Sequence, residues 1–366
     1  MWHRVITFPL SSRVLISSLI DSGRKIRFAV VGCGRIAGRH FEALRAHSDE
    51  TELVGVCDTD GEALARAVAS EHVSGFDRID EMLASVRPDV AVLCTPSGIH
   101  AQQAIIAAAA GVNVITEKPM ATRWSDALDM VKACDLAGVR LFVVKQNRRN
   151  STLQLLKRAC ERRRFGRIYM VAVNVFWNRP QSYYDSATWR GTWEFDGGAF
   201  MNQASHYVDL LDWLIGPVES VHAFTATLAR DIEVEDTGVV SIKWRSGALG
   251  SMSVTMLTYP RNLEGSITII GESGTVRVGG VAVNEIQQWE FGDDDPDDDL
   301  VTNASYETSS VYGHGHPLYY RNVVDVLRGR AAADTDGREG LKSLELLTGI
   351  YLSARDGRRV SLPLEI

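Results

Sequence analysis

The chain has 366 residues, about twice the ~150 residues of an ordinary domain, so two domains with separate cores are expected. Hydrophobic residues make up 45% and charged residues 23%, which excludes a collagen-like or disordered chain and fits a folded globular protein. The net charge is −7, but the run Asp293 to Asp299 carries six of the negatives and leaves the remainder at −1, so this tract reads as a solvated acidic loop. No extended basic stripe offers a surface for nucleic acid.

Of the first 24 residues, Met1 to Ile20 hold three basic or partly basic side chains (His3, Arg4, Arg13), no acid and only short apolar patches, without the continuous apolar core of a targeting peptide. They read as a disordered extension. From Lys25 onward, compact apolar runs at 26–32, 52–58, 90–96, 113–119 and 140–146 predict buried parallel strands. The intervening stretches Ala37–His47, Gly61–Glu71, Ile79–Ser85, Ile99–Ala110 and Thr122–Ala137 carry helical spacing. Strands alternating with helices predict an α/β doubly wound parallel sheet over residues 25–146.

Over 147–366 the period changes. Segments 167–177, 218–228, 237–245, 248–257, 265–271, 274–278 and 280–291 read as strands joined by Gly-rich turns, which predicts an α+β domain with a large, mostly antiparallel open sheet. Helical stretches 152–163, 198–214 and 317–329 are expected to cover one face of it. A last helix over 337–356, capped by Asp336, returns at the end and can pack back on the first domain.

The five cysteines (33, 57, 94, 134 and 160) are odd in number and lack metal-ligand spacing, so they read as reduced core thiols. No apolar run approaches the ~18 residues of a membrane span, and a cytoplasmic location is expected.

Gly32-Cys33-Gly34-Arg35-Ile36-Ala37 follows a strand and opens a helix, the context in which a G-x-G-x-x-G/A match carries meaning. Gly32 and Gly34 let the backbone turn and approach a pyrophosphate at the positive end of the helix, and Ala37 lets helix and strand pack closely. The second strand ends in Asp58, placed to accept both ribose hydroxyls. The residues after it, Thr59 and Asp60, offer no cation for a 2′-phosphate, so NAD is expected over NADP. Thr95, Pro96 and His100 follow the third apolar strand and Glu117-Lys118-Pro119 ends the fourth, both at carboxyl ends, where open α/β sheets bind ligands.

Asp196-Gly197-Gly198 precedes a helical stretch in which Asn202, His206 and Asp209 share one polar face at i, i+4 and i+7. Alcohol oxidation needs a base for the hydroxyl proton, and His206 suits that task. Lys118 is placed as a cation beside the alcohol oxygen, and Asn202 as an orienting hydrogen-bonding group. His314 and His316 alternate in Tyr312-Gly313-His314-Gly315-His316-Pro317, but no third ligand lies nearby, so a loop or capping role is expected and no metal.

The glycine loop, the Glu-Lys-Pro strand end and Gly-Gly followed by a histidine helix, in that order, resemble the Gfo/Idh/MocA oxidoreductases over residues 25–364. That resemblance implies a Rossmann domain, an antiparallel-sheet domain, a nicotinamide cofactor and a homo-oligomer, a dimer or tetramer. Lys145 to Asn150, Phe176-Trp177, Trp189 to Trp193, Gly197 to His206 and Tyr312 to His316 resemble the branch of that family acting on a UDP-linked N-acetylglucosamine uronate at its 3-hydroxyl. Some members of that branch regenerate tightly held NAD with 2-oxoglutarate, and the keto product leads toward a surface-polysaccharide sugar.

The resemblance places Gln146 at the cofactor, and Asn147, Arg148, Trp189, Arg190, Asn202 and His206 at the substrate. The broad family has Asp where this chain has Asn202, which leaves base duty to His206 or Lys118. Another sugar or inositol dehydrogenase, or a glycoside hydrolase using NAD transiently, are the alternative activities. Arginines 148, 149, 179 and 190 near Trp177, Tyr183, Tyr184 and Trp189 suit a substrate bearing diphosphate and carboxylate charge.

Overall fold

The computed structural model describes residues 19–308 and 315–365. The first half alternates β1 (Ile26–Val31), α1 (Ala37–Ala46), β2 (Thr51–Cys57), α2 (Gly61–Glu71), β3 (Ser74–Phe76), α3 (Ile79–Val86), β4 (Val90–Leu93), α4 (His100–Ala109), β5 (Asn113–Thr116), α5 (Trp124–Ala137) and β6 (Leu141–Val143). The six strands pair in parallel in the order β3-β2-β1-β4-β5-β6. Residues of β1 and β4 are buried on both faces because helices cover both, which is why these strands read as continuous apolar runs. The order reverses between β1 and β4, and the crevice at their carboxyl ends is the expected ligand position.

The second half comprises α6 (Ser151–Glu161), β7 (Ile168–Phe176), the short α7 (Gln181–Tyr184), α8 (Ser205–Ile215), β8 (Val218–Ala226), β9 (Thr237–Trp244), β10 (Leu249–Thr255), β11 (Glu264–Gly271), β12 (Gly274–Gly279), β13 (Glu285–Phe291), α9 (Val301–Ala304), α10 (Gly315–Leu327), α11 (Gly337–Asp356) and β14 (Val360–Ser361). Its eight strands run β13-β12-β11-β7-β10-β9-β8-β14, antiparallel except between β7 and β10. Strand β9 alternates buried and exposed residues, the pattern of a sheet covered on one face. Helices α8 and α11 provide that cover, and Asp336 caps α11 by accepting from the Glu339 N–H (2.9 Å).

Several expectations change. The stretch 317–329 does not cover the antiparallel sheet: α10 packs on the parallel one, where Tyr319, Tyr320, Val323, Val324 and Leu327 share a core with Phe28, Val30 and Phe41. The stretch 198–214 is not one helix, because a π-helical turn, Ala199–Gln203, precedes α8 and Ala204 leaves helical geometry between them. Strand β3 was too short and too polar in pattern to be seen. The 280–291 strand begins at Glu285, because residues 280–283 form a turn.

The acidic tract is not merely solvated: Asp297 pairs with Arg158 (2.7 Å), Asp298 with Arg164 (2.6 Å) and Asp295 with Arg162, docking the loop beside α6. The expected extension 1–24 is too long at its carboxyl end, because the Ile20 N–H bonds to Leu327 O (2.8 Å) and Arg24 pairs with Asp89 (2.6 Å). Residues 1–18, and Tyr312, Gly313 and His314 of the histidine loop, lie outside the described residues.

All five cysteines are free thiols, and burial pushes those of Cys33, Cys134 and Cys160 up to about 12. Among the described residues no helix is long and apolar enough to cross a membrane.

Candidate active site

A cleft of about 960 Å³ opens at the carboxyl ends of β1, β2, β4 and β5 and runs on to the residues around α7 and the π-helical turn. Gly32 enters the loop with φ of +93°, and a Cβ there would lie 2.7 Å from the Cys94 carbonyl carbon, so only glycine passes. A Cβ on Gly34 would meet nothing within 4 Å: this glycine borders open space in front of the α1 amino end, as a pyrophosphate cradle requires. Asp58 stands at the rim, its Oδ2 accepting from the Cys33 N–H (2.6 Å) and its Oδ1 from the Asp60 N–H (2.8 Å). Arg35, Ile36, Thr95, Pro96 and His100 line the same cleft. His100 reaches back to the main-chain oxygens of Thr95 (2.8 Å) and Pro119 (3.1 Å), joining the ends of β4 and β5.

Glu117 is buried with one oxygen toward Lys118 and one toward a histidine pair. Its Oε2 accepts from the Lys118 N–H (3.0 Å). Its Oε1 accepts from His40 Nε2 (3.0 Å), and because a carboxylate cannot donate, the His40 Nδ1 accepts the Tyr320 hydroxyl (2.8 Å). His316 Nε2 lies 3.8 Å from the same oxygen, which places the histidine of the Gly-His-Gly-His loop behind the Glu-Lys-Pro segment. Burial opposes the charge on Glu117, yet the His316 and His40 imidazoles hold its carboxyl well below the usual range. Sequence reasoning missed His40, whose helical position in α1 carries no signal of a partner 77 residues on.

Lys118 projects from this strand end, and its Nζ donates to the Asn202 main-chain oxygen (2.9 Å) with Asn202 Oδ1 3.5 Å away. Burial lowers the Lys118 amine, against the opposing influence of Glu117, Tyr183 and Asp196. The π-helical turn that carries Asn202 is tied at its start. Glu235 Oε1 accepts from the Phe200 N–H (2.9 Å) and the Tyr351 hydroxyl (2.8 Å), and the Met201 N–H donates to that hydroxyl (3.1 Å). Such turns are frequent at functional sites.

His206 stands one layer behind. Gln146 Nε2 approaches its Nε2 at 3.0 Å, and since an amide nitrogen only donates, that imidazole nitrogen is the acceptor. Burial, then the Lys118 and Lys145 cations, hold His206 well below its ordinary value. Asp209 does not share an exposed face with Asn202. It is buried, accepts both Arg148 Nε (2.7 Å) and Nη2 (2.8 Å), and lies 3.4 Å from Lys145 Nζ.

Thus Gly32, Gly34, Arg35, Ile36, Asp58, Thr95, Pro96, His100, Glu117, Lys118, Trp189, Arg190 and Asn202 meet in one cleft, whereas Gln146, Asn147, Arg148 and His206 are buried outside its lining. Arg148 is held by Asp209 and Glu339 rather than turned to the cleft, and Arg149 by Asp334. The far wall is aromatic and cationic. The Arg190 guanidinium lies 4.5 Å from the Tyr183 ring centre and 4.3 Å from that of Trp189, and donates to the Tyr183 hydroxyl (2.8 Å). Trp177, by contrast, fills core against Tyr207 and bonds Val281 O (3.1 Å). Sequence reasoning also gave no role to Asp196, Glu235 or Tyr351.

A glycine-cradled crevice at a parallel-sheet switch point, an acidic strand end and a half-buried lysine in one cleft define a dinucleotide-dependent oxidoreductase. Residues 26–145 match the model described as the oxidoreductase family, NAD-binding Rossmann fold, and residues 157–362 its C-terminal alpha/beta domain. The chain belongs to the Gfo/Idh/MocA oxidoreductase family, as its motifs led us to expect.

It is 66% identical to the WlbA dehydrogenase from Bordetella pertussis in complex with NADH and UDP-GlcNAcA, covering 94% of this chain and 100% of that one with a TM-score of 0.93. With the WlbA enzyme from Chromobacterium violaceum, in complex with the same two molecules, identity is 68% over 94% and 97% of the chains, with a TM-score of 0.91. D-apiose dehydrogenase from Paraburkholderia graminis is 26% identical over 95% of this chain and 92% of that relative.

Proposed function

We propose that this protein oxidises the 3-hydroxyl of UDP-N-acetylglucosamine uronate to the 3-keto sugar. The observation that carries the reading is that Lys118 and Asn202 close the cleft whose other end holds the glycine loop and Asp58. The similarity to WlbA proteins solved with NADH and UDP-GlcNAcA supports the choice of substrate.

The residues present fit NAD. The open space over Gly34 suits the pyrophosphate and Asp58 the ribose hydroxyls, with no basic residue next to it in Thr59-Asp60. Bound NAD supplies the hydride acceptor for the carbon that bears the alcohol. Lys118, lowered by burial, takes the hydroxyl proton on Nζ, while the two Asn202 oxygens receive the N–H groups of the ammonium that forms. His206 serves as a neutral hydrogen-bonding group held by Gln146, because a proton on it would be disfavoured by burial and by the Lys118 and Lys145 cations. On this reading Lys118 rather than His206 is the base. Arg190, within 4.5 Å of the ring centres of both Tyr183 and Trp189, offers a planar cation to the diphosphate or carboxylate.

The reading extends to reoxidation of the cofactor by 2-oxoglutarate, to a cytoplasmic place in surface-polysaccharide synthesis, and to a homo-oligomer. The last is supported by the open sheet face. Met170 sits beside Ile270 and Leu249, and Phe224 opposite Val239, all exposed on that face.

The test is to mix the purified protein with UDP-N-acetylglucosamine uronate, with and without 2-oxoglutarate, and follow nicotinamide absorbance. NADH formation with this substrate, abolished in Lys118→Met while NAD stays bound, is expected. Undiminished turnover in that variant refutes the role of Lys118. Reduction by inositol or a free sugar alone, or aglycone release without net NADH, refutes the substrate or the reaction.

A further inference from the structure

Asn202 stands where an acid would complete the site, yet a carboxylate lies directly behind it. Asp196 is 2% exposed, although it borders the cleft. Its Oδ2 accepts from the Gly191 N–H (2.8 Å), and its Oδ1 accepts from the Asn202 side-chain amide nitrogen. That second bond fixes which way the amide points: with its N–H₂ turned to Asp196, its oxygen faces Lys118 Nζ at 3.5 Å. Were the amide reversed, two donors would face each other at Lys118 and two acceptors at Asp196.

We propose that Asp196 is a positioning residue of the oxidation, one that orients the Asn202 amide toward Lys118 and balances the ammonium formed there when the substrate hydroxyl loses its proton. The inference rests on the dehydrogenase reading for its catalytic meaning, but its geometric content concerns this chain alone. The charged and titratable groups facing Asp196 are Lys118 from the end of β5, Arg190 from the loop after α7, and Tyr184 of α7. Burial pushes the Asp196 carboxyl up to about 6, partly offset by the Gly191 N–H, Arg190, Lys118 and the Asn202 amide. Protonation through that range removes the charge and puts an O–H where Asn202 needs an acceptor, so turnover acquires an acid limb near pH 6.

The test uses Asp196→Asn and Asn202→Leu, singly and together, in the full-length protein. In Asp196→Asn, kcat is expected to fall roughly 10–100-fold, the range for one charge-assisted hydrogen bond, with NAD affinity within about 3-fold and the acid limb near pH 6 lost. In Asn202→Leu, which severs the link from the other side, the same limb disappears, and the double variant is no slower than the worse single one.

A substrate-free reading separates this from the choice of substrate. After reductive methylation with isotope-labelled formaldehyde, the Lys118 resonance, assigned by its loss in Lys118→Met, should titrate at lower pH in folded Asp196→Asn. An unmoved Lys118 midpoint overturns the proposal whatever alcohol the enzyme takes. So do a kcat within about 2-fold of wild type, an acid limb that stays near pH 6 in Asp196→Asn, or losses that multiply in the double variant. Failure of the wild type to reduce NAD with the UDP-uronate, alongside a shifted Lys118 midpoint, counts against the substrate alone.

Discussion

Replacing Glu235 by Gln should stabilise the protein at alkaline pH. The carboxylate is buried. Its Oε1 receives two hydrogen bonds, whereas its Oε2 has no hydrogen-bond partner among the described residues and lies against Gly198, where a Cβ would sit 1.7 Å away. Burial pushes its carboxyl from 4.5 up to about 7, further than the Phe200 N–H and Tyr351 hydroxyl can hold it down. The folded state therefore binds the proton more tightly than the unfolded chain does. Below pH 4.5 both states are protonated and the group adds no penalty. Between 4.5 and about 7 the unfolded chain ionises first, so stability falls as pH rises, and above 7 the full cost remains.

At about 1.4 kcal/mol for each pH unit, that cost is on the order of 3 kcal/mol. Gln keeps the Oε1 acceptor and cannot ionise. Urea unfolding of wild type and Glu235→Gln from pH 5 to 8 should show curves that nearly coincide in acid and separate progressively toward pH 8, the variant being more stable. A difference that stays constant with pH would falsify the assignment of this carboxylate as the buried titrating group.

Two further outcomes follow from other carboxylates. In Asp209→Ala, Arg148 and Lys145 are left as buried cations without their anion, so stability should drop by about 3–5 kcal/mol in thermal or denaturant unfolding at neutral pH. Burial opposes the Asp209 carboxyl charge, but Lys145 and Arg148 outweigh it and hold it at about 2. Its contribution is therefore complete above pH 3.8, and the gap between wild type and variant should close only as pH falls toward 2. Asp58→Ala removes the acceptor at the end of β2, and calorimetric titration should show NAD binding weakened roughly 10–100-fold, with unchanged affinity refuting the ribose role.

The parallel sheet was legible because its strands are buried on both faces, which leaves runs such as 26–32 and 90–96 no room for polar residues. The cofactor loop was legible for a similar reason: Gly32 and Gly34 answer to backbone geometry that a local reading can supply. The reacting centre was legible only in part. A regular helical wheel groups Asn202, His206 and Asp209, but the π-helical turn and Ala204 rotate Asn202 to the cleft and leave the other two behind it. What sets that turn, Glu235 and Tyr351, comes 35 and 150 residues later, at separations no local pattern reports. The ion pair of Arg148 was hidden for the same reason, since its partner Asp209 is 61 residues away.

The reacting centre is therefore assembled across a joint. Lys118 comes from the parallel sheet, while Asn202 and Asp196 come from a turn anchored by Glu235, just before β9, and by Tyr351 of α11. The Lys118 to Asn202 contact holds only if the two halves keep their register, and beside the packing of α10 and α11 on the parallel-sheet half the loop before α4 is a third place where they meet. The Gly98 N–H donates to Phe195 O (3.0 Å), Thr122 Oγ1 donates to Glu194 O (3.1 Å), and a Cβ on Gly98 would come 2.0 Å from that same Glu194 oxygen. Glycine at 98 is required by this close approach and not by its own backbone angle. The segment that brings Asp196 to the cleft is thus pressed against the residues that follow Cys94, Thr95 and Pro96 on the cofactor side, so cofactor position and lysine orientation are set by one packed seam.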